Sequence, residues 1–164
     1  MEKQEFNFDE NSFNELFPFY FLIDSDLKIK GLGKSLAKAV PTIKLNDDFS
    51  KVFRLKRPSL ETHSLASLCS LFNQLIIIET TCQGLDLRGQ FQKYNDSILF
   101  VGSPWFTSMD QVIEKNLRLN DFAVHDPLLD LLHVLKNQEI TTQELKELLT
   151  KINKQKKRVK ERSR

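Results

Sequence analysis

The chain has 164 residues, 40% of them hydrophobic and thirteen of them phenylalanine, which suits one domain with a real core and a short appendage. Its formal net charge of +2 hides an asymmetry, because residues 151–164 hold eight Lys or Arg and one Glu and carry +7, which leaves −5 on residues 1–150. The longest apolar run, FYFLI at 19–23, is far below the roughly 20 residues that cross a bilayer, and the acidic N-terminus lacks the order of a signal peptide. A fibrous or membrane-spanning chain is excluded, and a cytoplasmic protein is predicted.

The first predicted elements are a short helix and a β-hairpin. Apolar residues at i, i+3 and i+4 within 13–17 predict a helix that ends before Pro18. In the segment FYFLIDSDLKIKG, two runs of strand-forming residues flank the turn residues Asp24, Ser25 and Asp26, which predicts a hairpin.

A block of helices is predicted next, between Ser35 and Gln74. KSLAKAV predicts a short helix that ends at Pro41, and DDFSKVF predicts another. A longer helix is predicted in the segment that begins at Ser59, with Thr62 or Ser64 as its N-cap and with one apolar face that consists of Leu65, Leu68, Cys69, Leu71, Phe72 and Leu75. Cys69 on that face and Cys82 near a turn are interpreted as reduced thiols that serve as small hydrophobic side chains.

Three strands follow, in LIIIET, GLDLRGQFQKY and SILFVGS, separated by turns at Gly84 and at 94–97. The element order is strand, strand, helices, then three strands. This order predicts an α+β fold with an antiparallel sheet of about five strands and helices packed on one face.

One long helix is predicted to end the chain, because nearly forty residues after Val124 include only Pro127 as a proline and no glycine. Asp126 is a good N-cap, and Pro127 suits the first helical position. With Leu128 at heptad position a, seven of the ten a and d positions are apolar, and the other three are Gln138, Thr142 and Lys156. This pattern predicts a coiled coil whose polar interruptions suit a switch. The proposed dimer seam consists of Leu128, Leu131, Leu135, Leu145, Leu149 and Ile152.

No catalytic or cofactor-binding constellation is present in the sequence. Gly31-Leu32-Gly33 is too short for a dinucleotide-binding fingerprint, and paired carboxylates in a hairpin turn are ordinary turn chemistry. The three histidines (His63, His125 and His133) and the two cysteines form no metal-ligand spacing. Trp105 and the phenylalanines either fill the core or line an apolar ligand cavity. We therefore expect no enzyme activity in this chain, no cofactor and no metal.

Four segments carry a resemblance to a known family: LFPFYFLIDSDLKIKGLGKSL, VFRLKRPSLE, LRGQFQKYNDSILFVGSPWFTSMDQV and LRLNDFAVHDPLLDLL. Together they span about Phe13 to Gln138 and resemble the haem-NO-binding-associated domain of soluble guanylate cyclases and bacterial sensor histidine kinases. The positions that match the family pattern are Phe17, Pro18, Phe19, Asp24, Asp26, Leu27, Gly31, Arg57, Pro58, Leu87, Gly89, Gln90, Gly102, Ser103, Pro104, His125 and Asp126.

The resemblance implies a PAS-like fold in residues 1–125 and a signalling helix with a basic end in 126–164, with His125, Asp126 and Pro127 as the signal joint between them. It also implies a homodimer that relays a signal from a separate haem NO-binding protein to an output domain, of a histidine kinase first and of a nucleotide cyclase second. Haem would belong to the partner. We read the chain as a fragment or truncated form of such a sensor.

Two alternatives remain open from the sequence. The domain is a PAS-like sensor that binds a small molecule directly, or the basic tail binds nucleic acid or another anionic surface. The tail has no aromatic residue for base stacking and the body is acidic, which disfavours nucleic acid.

Overall fold

The computed structural model describes residues 2–163, and its framework is one six-stranded antiparallel sheet with strand order β2-β1-β6-β5-β4-β3. In chain order the elements are α1 (Glu10–Leu16), β1 (Phe21–Ile23), β2 (Ile29–Leu32), α2 (Lys34–Ala39), α3 (Phe49–Val52), β3 (Phe53–Arg57), α4 (Leu65–Cys69), β4 (Ile76–Thr80), β5 (Asp86–Tyr94), β6 (Ser97–Pro104), α5 (Met109–Glu114), a 3-10 turn (Leu119–Asp121) and α6 (Pro127–Arg162). The predicted α+β class, antiparallel sheet and long C-terminal helix are confirmed.

The sheet has a sixth strand, β3, which lies within the block predicted to be helical. DDFSKVF forms only one helical turn, α3, and β3 begins immediately after it. Phe53 and Leu55 of β3 are buried and alternate with exposed basic residues, which is the period of a strand with one face in the core. The strand pairs with β4, a partner more than twenty residues away, and so completes the edge of the sheet.

The helix predicted in the next segment begins as expected but is wrong in its length. Ser64, one of the two expected N-caps, caps α4, and the helix ends at Cys69. Ser70 donates a hydrogen bond from Oγ to the Ser67 carbonyl at 2.6 Å, and Asn73 adopts a left-handed conformation with φ of 65°. Hydroxyls bonded to the local backbone and a left-handed residue both oppose helix continuation. As a result Cys69 and Leu75, predicted to face the core, are exposed.

Phenylalanine rings fill the core on the inner face of the sheet. The Phe21 ring stacks on Phe53 with centroids 4.3 Å apart and on Phe100 at 4.8 Å. The short helices α2, α3 and α4 contribute Leu36, Phe49 and Leu68 to the same cluster, and each of these is fully buried. Ring stacking of this kind adds to the stabilisation from burial of apolar surface.

Strands β5 and β6 approach closely where two glycines face each other. Gly89 pairs with Gly102, and a Cβ on Gly89 would lie 2.1 Å from the Val101 carbonyl oxygen. The same Cβ would be 2.8 Å from the Phe100 ring, so the missing side chain leaves room for that ring. Glycine at position 89 is therefore what permits this close backbone approach.

Helix α6 extends far beyond the sheet. Its 36 residues span about 54 Å at 1.5 Å per residue. Leu128 and Leu132 are buried in the core, whereas every described residue from Lys136 to Ser163 is exposed. No helix within residues 2–163 combines the length and the apolarity that a membrane span requires.

Candidate functional site

A cleft of about 470 Å³ lies where the sheet meets the C-terminal helix. Three chain segments form most of its wall: Leu16–Pro18 at the end of α1, Val101–Trp105 at the end of β6, and His125–Leu128 at the start of α6. Arg88 of β5 and Leu131 of α6 complete its rim. We name this feature the joint cleft.

Asp126 links the helix to the sheet through both of its carboxylate oxygens. Oδ1 accepts a hydrogen bond from the Leu128 backbone N–H at 2.9 Å, which caps α6, and Pro127 occupies the first helical turn. Oδ2 accepts a hydrogen bond from the hydroxyl of Ser103 on β6. A single side chain therefore caps α6 and ties its first turn to the end of a central strand.

The end of α1 is fixed to the same region. The Pro18 carbonyl accepts hydrogen bonds from the backbone N–H groups of Ser35 and Leu36 at 3.0 and 3.2 Å, so it caps α2. The Phe17 ring meets the His125 ring edge-on, with centroids 6.0 Å apart. The end of α1, the start of α2 and the start of α6 are thus held together by short contacts.

Many of the family-pattern residues lie at the joint cleft, and others lie in three groups elsewhere. The pattern residues that line the joint cleft are Phe17, Pro18, Gly102, Ser103, Pro104, His125 and Asp126, and Pro127 of the predicted signal joint lines it too. Asp24 and Asp26 form the hairpin turn, where Asp24 Oδ1 accepts hydrogen bonds from the N–H groups of Asp26 and Lys28 at 2.9 Å. Arg57-Pro58 ends β3, and Gly89-Gln90 lies within β5. These last three groups shape the sheet and its turns.

Arg88 and Trp105 meet at the rim of the cleft and are not among the predicted site residues. Arg88 lies on the outer face of β5, with its guanidinium carbon 5.4 Å from the centroid of the Trp105 ring. Trp105, expected in the core or in a ligand cavity, is 48% exposed at the rim of the cleft. The alternation of LDLRGQF indicates that Arg88 faces outward, but no sequence pattern indicates that it meets Trp105.

A second functional feature, the α6 stripe, consists of the exposed apolar heptad positions Leu131, Leu145, Leu149, Ile152 and Val159. Leu145 and Leu149 are 57% and 59% exposed. Leu128, at the first a position, is already buried by its own domain, and Leu135 is partly buried against the same core. The stripe begins at Leu131, which also lines the joint cleft, so the two features are continuous.

Metal-binding geometry is not found in the described part of the chain, where no three His, Cys, Asp or Glu side chains are grouped as ligands. His63 lies 3.3 Å from the Ser50 hydroxyl and packs edge-on against Phe49. His125 lies at the joint cleft, and His133 is exposed on α6. The expectations of no metal and no cofactor stay predictions.

The chain matches the model of the family described as "Heme NO binding associated" over residues 6–83 and 79–163. It is 29% identical over 151 residues to guanylate cyclase soluble subunit beta-2 of Rattus norvegicus, a match that covers 84% of this chain and 22% of that protein. It is 25% identical over 154 residues to guanylate cyclase soluble subunit alpha-1 of Bos taurus, with 85% of this chain and 22% of that protein covered.

A third relative is guanylate cyclase soluble subunit alpha-2 of Homo sapiens, 26% identical over 136 residues, with 76% of this chain and 18% of that protein covered. The chain therefore spans about a fifth of the length of these relatives. The matched segments include both the joint cleft and most of α6.

Proposed function

The chain belongs to the haem NO binding associated family, and we propose that it is a dimerisation and signal-relay module of a sensor protein. Domains of this family are regulatory and accompany a haem NO-binding partner in guanylate cyclases. In our proposal the joint cleft receives the signal, the Asp126 link transmits it, and α6 carries it to an output domain. The chain itself performs no catalysis.

The α6 stripe is the observation that carries this proposal. An isolated helix with leucine, isoleucine and valine exposed at heptad spacing leaves apolar surface in water, and a second helix with the same spacing covers it. Helix stability in such a segment also comes mainly from packing of its apolar face. We infer that the cover is a second copy of this chain.

The two helices run parallel in the proposed homodimer. A parallel pair places both joint clefts at one end and delivers both output domains at the other end, about 54 Å away. The polar residues Gln138, Thr142 and Lys156 at a and d positions weaken the seam and fix its register. A seam that is only moderately stable lets a change at the cleft shift the register or spacing of the helices.

The signal source is, in this proposal, a separate haem NO-binding protein. The first candidate for the output domain is a histidine kinase, as the resemblance to bacterial sensor kinases implies. The second candidate is a nucleotide cyclase, which the guanylate cyclase subunits among the relatives favour. Phosphoryl transfer or cyclase activity of the gene product that contains this chain distinguishes the two.

Sedimentation measurements across concentration test the dimer. The wild-type chain is expected to be dimeric at tens of micromolar. The Leu145→Ala/Leu149→Ala double variant removes four side chains per dimer, and since each leucine burial is worth roughly 1.5–3 kcal/mol, the dissociation constant should rise at least about a hundredfold.

Ile140→Ala is the matched control. Ile140 is 49% exposed but lies at heptad position f, away from the seam, so its truncation should leave the dimer intact. Circular dichroism checks that each variant folds. A monomeric wild type, or a double variant that dimerises as well as the wild type, contradicts the proposal.

A further inference from the structure

The joint cleft carries a cation that the described chain does not neutralise. On the outer face of the sheet, Arg54 is paired with Glu79 of the neighbouring strand β4, and Lys56 is paired with Asp86 at the start of β5. Arg88, on the same face, has no ion pair within residues 2–163, and its guanidinium lies over the Trp105 ring. The guanidinium therefore keeps its fork of N–H donors for an anion from outside the chain.

The walls around this cation are apolar and open. Trp105, Leu131 and Leu16 are 48%, 39% and 37% exposed, and Phe17 lines the same cleft. A small-molecule pocket buries about 70–90% of its ligand, which these half-exposed walls do not favour. Aromatic and Arg side chains together at an open apolar surface are typical of the centre of a protein interface.

We propose that the joint cleft is a docking surface for a segment of a partner protein that presents an apolar side chain next to a carboxylate. The apolar side chain packs among Trp105, Phe17 and Leu131, and the carboxylate pairs with Arg88. Charge complementarity selects this occupant, because the Arg88 guanidinium has no ion pair within residues 2–163, whereas both oxygens of the Asp126 carboxylate in the same cleft already accept hydrogen bonds from Ser103 and Leu128. The inference deepens the proposed relay and rests on it.

Docking at this surface acts on α6 through shared residues. Leu131 belongs both to the cleft wall and to the α6 stripe, and the Ser103–Asp126 hydrogen bond lies in the same wall. A segment bound between Arg88 and Leu131 therefore favours one placement of the first turns of α6 over others. Differential binding to two placements is what a relay requires.

The sole tryptophan of the chain makes the cleft directly observable. Because Trp105 is the only tryptophan, its fluorescence reports on the cleft alone. The probes are short capped peptides with phenylalanine or leucine beside glutamate, each matched to the same peptide with glutamine. We expect saturable changes of Trp105 emission, and about tenfold tighter binding of the glutamate peptides, because hydrogen bonds between charged groups are the stronger ones.

Two variants assign the charge preference to the cleft. Arg88→Gln should abolish the preference for glutamate and leave the circular dichroism spectrum unchanged. Arg54→Gln, a substitution of an arginine that lines no part of the cleft, should retain the preference. Equal binding of glutamate and glutamine peptides, or no emission change with any peptide at millimolar concentration, overturns the docking surface.

Other occupants give distinct results. Decanoate that binds more tightly than every peptide overturns the proposal in favour of a small amphiphile. A concentration-dependent Trp105 shift without peptide that persists in the Leu145→Ala/Leu149→Ala variant overturns it in favour of a second copy. A chain that sediments as a monomer but prefers the glutamate peptides contradicts the dimer and supports the docking surface. A chain that sediments as a dimer but binds no peptide supports the dimer and contradicts the docking surface.

Discussion

The link between Ser103 and Asp126 can be tested by a double-mutant cycle. Asp126→Ala removes both the N-cap of α6 and the acceptor for the Ser103 hydroxyl. Loss of a cap costs about 1 kcal/mol, and loss of a half-buried hydrogen bond to a carboxylate costs about 1–2 kcal/mol more. Ser103→Ala removes only the second interaction.

The predicted free energies of unfolding follow from this sharing. Asp126→Ala should lower stability by about 2–3 kcal/mol and Ser103→Ala by about 1–2 kcal/mol. The double variant should be less stable than Asp126→Ala by at most about a few tenths of a kcal/mol. The coupling energy is then about 1–2 kcal/mol.

Urea unfolding followed by Trp105 fluorescence and by circular dichroism supplies the measurement. All four proteins are compared at one concentration, because dimerisation adds to apparent stability. Asp126→Asn is the matched control, since asparagine caps helices about as well as aspartate and still accepts a hydrogen bond from Ser103. Strictly additive single-variant effects would show that the hydroxyl and the carboxylate do not act together, and would refute the link.

Three further predictions concern the sheet, the pH dependence and haem. In urea unfolding, Gly89→Ala should lower the free energy of unfolding by more than about 3 kcal/mol or prevent folding, since its Cβ would meet the Val101 carbonyl. Gly31→Ala is the control and should cost under about 1 kcal/mol, because the nearest neighbour of its Cβ would be a side chain at 3.3 Å. The Lys28 ammonium beside Asp48 lowers the pKa of that carboxyl, so the Lys28–Asp48 pair stabilises the fold above the usual pKa range of aspartate, and this stabilisation is lost as pH falls through the lowered pKa. Asp48→Asn should therefore reduce the loss of stability that the wild type shows below about pH 4. The same loss of stability at low pH in both proteins would contradict this. The purified chain should show no Soret band after haem reconstitution, and a band that vanishes on substitution of any one histidine would contradict this expectation.

Local signals in the sequence were sufficient for the helix caps and turns. The Asp126-Pro127 pair predicts the start of α6 because both residues act within one helical turn. Asp24 and Asp26 predict the hairpin for the same reason, since the Asp24 carboxylate bonds to backbone groups only two and four residues away.

Features that depend on distant pairing were missed or misplaced. Strand β3 forms because its residues, including Phe53 and Leu55, pair with β4. Its alternation of buried and exposed residues is short and follows a helical pattern directly, so the sequence pattern predicts a helix there. The end of α4 depends on the conformation of Asn73 and on serine hydroxyls, which outweigh the helical spacing of the leucines. Helix propensity is a weak prior where such local bonds compete.

The joint cleft combines predictable and unpredictable parts. His125, Asp126, Phe17, Pro18 and Ser103 were expected to matter separately, as family-pattern positions. That they line one cleft follows from the pairing of β1 with β6, which no local pattern encodes. The contact of Arg88 with Trp105 likewise depends on the pairing of β5 with β6.

Disulfide cross-linking along α6 tests the central claim most directly. In a chain with Cys69→Ser and Cys82→Ser, the variant Ile152→Cys places one thiol at a d position of each helix. A parallel homodimer brings these two thiols together, and mild oxidation should yield a covalent dimer. Ile140→Cys, at position f, should yield none.

A mixture of Leu131→Cys chains and Ile152→Cys chains supplies the decisive comparison. The two positions are 21 residues apart, or about 32 Å along a helix, whereas the Cα atoms of a disulfide lie within about 7 Å. The account predicts covalent dimers of 152 with 152 and of 131 with 131, and no dimer of 131 with 152. A dominant 131–152 product would show that the helices are antiparallel. The absence of any cross-link at seam positions would show that α6 does not pair. Either result contradicts the account.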